Sequence, residues 1–205
     1  ENMVIRRPFD DVLRSWSHVA VLRTLLDSNV GISGNEVARV SGMHPLSALK
    51  ALSSLEELGI VHRQRGGRDH LFTLNREHFL VSEGLLPLYR AEIAFLSSIE
   101  ESLSVALGGK VFTALLFGSA VKGEETPQSD LDLLCIAKSE NSIDLVRQIL
   151  ASEAPSLYKR FGIKLAPVFF TREEFKKKAG SRFVKGILKE GKVIVGRSPQ
   201  ELLRG

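Results

Sequence analysis

Cysteine is almost absent from this chain. The single thiol, Cys135, permits no intrachain disulfide and no cysteine-based zinc site within one chain, which fits a reducing compartment. No apolar run approaches the ~18 residues that a membrane span requires. The stretch Arg6-Arg7-Pro8-Phe9-Asp10 is not that of a signal peptide. A cytoplasmic protein without a membrane partner is therefore expected. Charge of one sign is not in large excess either. With 28 Lys and Arg against 24 Asp and Glu, the formal net charge is +4. That mild balance favours acidic partners without demanding them. It is spread along the chain, since residues 1–80 hold 10 cations against 9 acids and the remainder 18 against 15. Any nucleic-acid surface must come from local placement. Internal repeats and low-complexity tracts are also missing. The 205 residues, 43% hydrophobic and 25% charged, suit two small globular domains.

The apolar pattern organises the first half. Val12, Leu13, Trp16, Val19, Ala20, Leu22 and Leu26 recur at helical spacing, which predicts one helix over 10–27 with Trp16 in the core. Ser33 is placed to cap a short helix over Gly34–Val40, with Glu36 as its capping-box partner. Ser41-Gly42 ends it. A third helix is predicted from His44, with Pro45 in its first turn. Leu46, Leu49, Leu52, Leu55 and Leu58 form a broad apolar stripe along it, and Gly59 ends it. A strand over 60–65, a Gly66-Gly67 turn and a returning strand over 68–74 complete this half. From Pro87 to Leu107 a longer helix connects it to the second half.

Three helices followed by a glycine-turned hairpin is the order of a winged helix-turn-helix. The stretch from Gly34 to Arg63 resembles the MarR- and ArsR-like transcriptional regulators. That resemblance implies a third helix in the major groove and a wing on the backbone, working as a homodimer on DNA. Carried onto this sequence, it assigns His44, Ser47 and Lys50 to the reading helix and Arg63, Arg65 and Arg68 to the wing. A protein–protein role for the same fold stays open. The predicted third helix has Lys50 as its one cation and carries Glu56 and Glu57.

The second half has a different period. Val111–Phe117 and Leu131–Ala137 are continuous apolar runs, as in strands covered on both faces. A helix over 142–161, a strand over 163–170, a helix capped by Thr171, another over 183–189 and a strand over 193–195 follow. Gly118-Ser119 ends the first apolar run, and ten residues later comes Asp130-Leu131-Asp132. In a strand, residues two apart face the same way, so both carboxylates project together. Two such carboxylates repel unless a cation lies between them, and hard oxygen ligands suit Mg²⁺.

This pattern resembles the polymerase-β-like nucleotidyltransferase superfamily, in particular its minimal members. The resemblance spans about Val111 to Val195. It implies metal-binding, catalytic carboxylates at Asp130 and Asp132, nucleotide contacts from Gly118, Ser119, Lys122 and Ser129, and a bound Mg²⁺–NTP. The superfamily usually has a third carboxylate on a later strand. Here the strand over 163–170 contains no acid, and Ala166 or Val168 takes the expected face.

The fold class expected is therefore α/β (α+β). A winged helix-turn-helix DNA-binding domain would occupy 1–80, a linker helix 81–109, and a mixed-sheet nucleotidyltransferase-like domain with flanking helices 110–205. The function expected is a DNA-binding transcriptional regulator whose second domain binds Mg²⁺–NTP. The alternative is an active enzyme transferring NMP to a hydroxyl of a small molecule, an RNA or a toxin-like protein partner, as antitoxins of the minimal class do.

Overall fold

The computed structural model describes residues 3–67 and 69–204. They form two compact units, divided between Ile93 and Ala94.

The first unit begins with α1 (Phe9–Val12) and α2 (Trp16–Leu26). The single helix expected over 10–27 is thus two. Ser15 takes an extended backbone and its hydroxyl accepts a hydrogen bond from the His18 N–H at 3.2 Å, which starts a new helix. Trp16 then lies at the first turn of α2, 66% exposed rather than in the core. His18 is buried in its place, with Nδ1 3.1 Å from the Val12 carbonyl. Burial, more than any neighbour, lowers the pKa of that imidazole.

Next come β1 (Ile32–Ser33), α3 (Gly34–Ser41), α4 (Pro45–Glu57), β2 (Val61–Gly66) and β3 (Asp69–Leu74). The three strands make an antiparallel sheet in the order β1-β3-β2. Ser33 caps α3 through the Glu36 N–H, as expected, but the Glu36 carboxylate bonds Arg39 instead of closing a capping box. The leucine stripe of α4 splits. Leu52 and Leu55 are fully buried, whereas Leu46 is 64% and Leu49 39% exposed. The cause is geometric: three residues fall about 60° short of a helical turn, so a strict three-residue repeat winds off the core face. The core gathers Val21, Leu25, Val37, Leu52, Leu55, Ile60 and Phe72. A π-helical turn (Val81–Leu85) leads into α5 (Leu86–Leu107), along which the division between the units falls.

The second unit contains β4 (Thr113–Phe117), α6 (Ser119–Lys122), β5 (Leu131–Ala137), α7 (Glu140–Phe161), β6 (Leu165–Thr171), α8 (Arg172–Lys177), α9 (Arg182–Glu190), β7 (Lys192–Gly196) and α10 (Pro199–Arg204). Its sheet runs β6-β5-β4-β7. The β5–β6 pair is parallel and the other two are antiparallel, so the sheet is mixed as expected. Both faces are covered, which is why β4 and β5 read as unbroken apolar runs. Leu116, Leu131, Leu133 and Cys135 pack with Leu103, Val146 and Leu150 on one face. Leu115, Leu134, Ile136 and Phe170 pack with Phe175, Val184, Ile187 and Leu202 on the other. Burial in this core pushes the Cys135 thiol up to about 12, so it is a packing residue.

Candidate active site

The site is built where β4 leaves the sheet and β5 enters it. The antiparallel register sets Phe117 across from Asp132. Gly118 follows with φ 77° and ψ −153°, a region open to glycine alone. The residue is required for a second reason: a Cβ on Gly118 would collide with a carboxylate oxygen of Asp132. The chain bend and the carboxylate are therefore in direct contact. Ser119 opens α6 immediately afterwards, half-buried.

Asp132 alternates with Leu131 and Leu133, so it shares the sheet face of Leu134 and Ile136. It is partly buried there. Phe117, its register neighbour, stacks edge-on against Phe183 of α9 at 5.5 Å, and Phe183 meets Phe170 at 6.3 Å. Phe117 therefore lies beside the carboxylate on the same face of the sheet. Burial is the main reason its pKa rises above the ordinary aspartate value, and the charge of Asp130 is the second. Asp130 itself is exposed, just ahead of β5. The two aspartates thus act on each other at the mouth of the strand.

Ser129 serves the loop before it. Its hydroxyl accepts the Thr126 N–H at 2.9 Å and its own N–H bonds the Thr126 carbonyl, closing a turn that delivers Asp130. Lys122 reaches Glu190 at the end of α9, with Nζ 2.7 Å from the carboxylate. Their hydrogen bond raises the pKa of Lys122 and lowers that of Glu190. No sequence pattern marked Glu190, because the pairing depends on two helix ends brought together only by the fold. The same holds for the Phe117–Phe183–Phe170 shoulder.

On the other side of β5, the parallel register sets Ala166 beside Asp132. Among the described residues no group of three or more His, Cys, Asp or Glu side chains is placed to hold a metal ion. The carboxylate pair is joined by no third acid from β6. Two hard oxygen donors beside an open glycine bend still fit a divalent cation whose remaining ligands come from a phosphate chain and water.

In the first unit, His44, Ser47 and Lys50 are exposed on α4. The imidazole of His44 is the cap of that helix, Nδ1 accepting the Leu46 N–H at 3.3 Å. Exposed Leu46 and Leu49 share the helix with these polar residues. Arg63 and Arg65 are exposed on β2, and Arg63 stands 3.8 Å from Glu56 of α4. Arg68 lies outside the described residues.

Comparison with known proteins bears on the second unit. Residues 96–195 match the family model of the nucleotidyltransferase domain. This segment is similar to that family over just under half of the chain. Its match begins within α5, earlier than the Val111 at which the motif resemblance starts. A Methanocaldococcus jannaschii protein assigned as a protein adenylyltransferase is 28% identical over 88 residues, 42% of this chain and 80% of that protein. Two solved structures show a partial likeness. One is a toxin–antitoxin with AMP-PNP, at 19% identity, covering 51% of this chain and 81% of that one, with TM-score 0.36. The other is a mutant of the toxin–antitoxin MntA-HpeT, at 16% identity, covering 51% and 80%, with TM-score 0.35. Among the described residues no helix is long and apolar enough to cross a membrane.

Proposed function

We propose that the nucleotidyltransferase domain binds an NTP with Mg²⁺ and transfers its NMP to a hydroxyl. One observation carries this reading: the Asp132 carboxylate touches the Gly118 bend, with Asp130 two residues ahead on the same side. Asp130 and Asp132 would hold the metal, which when bound neutralises charge on the phosphates. Gly118 leaves room for the phosphate chain, and the Ser119 hydroxyl stands at that bend to donate to it. The attacking hydroxyl oxygen forms a bond to the α-phosphorus. The bond from that phosphorus to the β-bridging oxygen breaks, and pyrophosphate leaves. With Ala166 where an acid would take the hydroxyl proton, that proton passes to water.

The acceptor we favour is a protein side-chain hydroxyl, in line with the assignment of the M. jannaschii relative. A toxin-like partner is the version raised by the antitoxin resemblance. Incubation with labelled ATP and Mg²⁺ should label a partner protein, and Asp130→Asn or Asp132→Asn should abolish the label. Nucleotide binding without any transfer would leave a sensor in place of an enzyme.

For the first unit we propose a winged helix that contacts DNA as a dimer in the cytoplasm. What supports it is the helix–helix–hairpin order and the exposed Arg63 and Arg65 on the hairpin. Against a helix rich in base contacts stand the exposed Leu46 and Leu49. The hairpin would therefore carry most of the affinity, through phosphates. Arg65→Ala should lower affinity alike for all sequences and reduce the logarithmic salt slope by about 1. Identical salt series for the variant and the wild type would remove the DNA reading.

A further inference from the structure

A pocket of about 550 Å³ opens between α7 and β6, and the nucleotidyl site does not use it. Its walls include Arg147, Ala151, Ala154, Pro155, Tyr158 and Phe169. The first five recur along α7 at spacings of three, four and one residues, as one helix face does. Alanine at 151 and 154 leaves the space that larger side chains would fill. Leu150 and Leu165, which also line it, belong to the core on the α7 face of the sheet. Asp132 shares the opposite face with Leu134, so the pocket and the carboxylate pair are separated by the sheet.

Three features define what would fit. First, Pro155 lies inside α7 and has no N–H. The Ala151 carbonyl, four residues earlier, therefore lacks its usual helical donor. Both residues line the pocket, which sets that carbonyl beside a mainly apolar wall. Second, the Arg147 guanidinium lies over the Phe169 ring at 5.0 Å, a stacked cation on the rim. Among the described residues no carboxylate pairs with Arg147, and no acid lines the pocket. Third, strand addition is disfavoured. The Leu131 N–H bonds the Lys164 carbonyl, so Lys164 and Ala166 point their backbone groups at β5, and Leu165, Pro167 and Phe169 point theirs outward. Pro167 removes a donor from the middle of that free edge. Pairing by an extended peptide loses a central hydrogen bond there, which favours a compact occupant.

We propose that this pocket is a second, separate binding site for a small aromatic anion that carries a hydrogen-bond donor. The ring sits over Ala151, Ala154 and Pro155. The donor meets the Ala151 carbonyl, and the anionic group meets Arg147. Volumes of this size are those of small-molecule sites.

The test uses 8-anilinonaphthalene-1-sulfonate, which has an aromatic body, an N–H and a sulfonate. Titrated into the full chain, it should show saturable fluorescence with one site per chain. Ala154→Trp, which fills the pocket, should abolish that site. Arg147→Ala should weaken it by about tenfold, the loss of one charged hydrogen bond. Pro155→Ala restores the helical donor and should weaken it by a smaller factor. Asp132→Asn should leave it unchanged, which separates this site from the nucleotidyl reading. Equal binding by Ala154→Trp and the wild type, with both folded by thermal melting, would overturn the proposal. So would unchanged affinity in Arg147→Ala, an exposed position whose loss does not threaten the fold.

Discussion

At the scale of single residues, Gly118 and Asp132 depend directly on each other. The glycine has a positive φ, and its missing Cβ is the space that the carboxylate occupies. Gly118→Ala should therefore destabilise the fold by about 1–3 kcal/mol and displace the carboxylate. Denaturant unfolding measures the first effect and loss of nucleotide binding the second. Asp132 also has a signature in pH. Its folded pKa is raised, so the charged form is disfavoured in the fold relative to the unfolded chain. Its contribution is most favourable below the unfolded aspartate value and is lost as pH rises through the folded one. Asp132→Asn should accordingly melt higher than the wild type at neutral pH, with the difference vanishing on acidification below the aspartate range. A variant that melts lower at neutral pH would contradict that sign. The place of both aspartates at the start of β5, beside the Gly-Ser bend, was legible in the sequence because the motif is local. Glu190 was not, since its partner Lys122 is remote in the chain and the pairing requires the packed sheet.

Among the elements, β6 matters most to the chemistry. It was legible as an apolar strand lacking an acid, and the register then places Ala166 directly beside Asp132. Ala166→Asp should supply the absent base and raise the transfer rate on the order of a hundredfold. It should also make the melting temperature more dependent on Mg²⁺, because three carboxylates now repel without it. An unchanged rate would show that the proton does not leave on that side. The helices of the first unit were less legible. Periodicity ran through Leu13-Arg14-Ser15 without a break, because the apolar spacing continues there, yet Ser15 starts α2 by capping it. The leucines of α4 misled in the opposite sense. Their regular repeat looked like one buried stripe, and the helical twist turns Leu46 and Leu49 to solvent. Capping is a local competition between side chain and backbone, which an apolar pattern does not record.

At the scale of the whole molecule, the chain is two units with separate cores. The two-sided burial of β4 and β5 was legible because a strand covered on both faces must be apolar on both. The pocket beside α7 was not, since it arises from what Ala151 and Ala154 omit and from a proline inside a helix. The account of function rests on the second unit, and above all on the carboxylate pair at the glycine bend. Titration calorimetry of the full chain with a non-hydrolysable ATP analogue tests it most directly. It should show one site that requires Mg²⁺ and is lost in Asp132→Asn, while that variant remains folded. Binding that is the same without metal, or the same in the folded Asp132→Asn variant, would contradict the account.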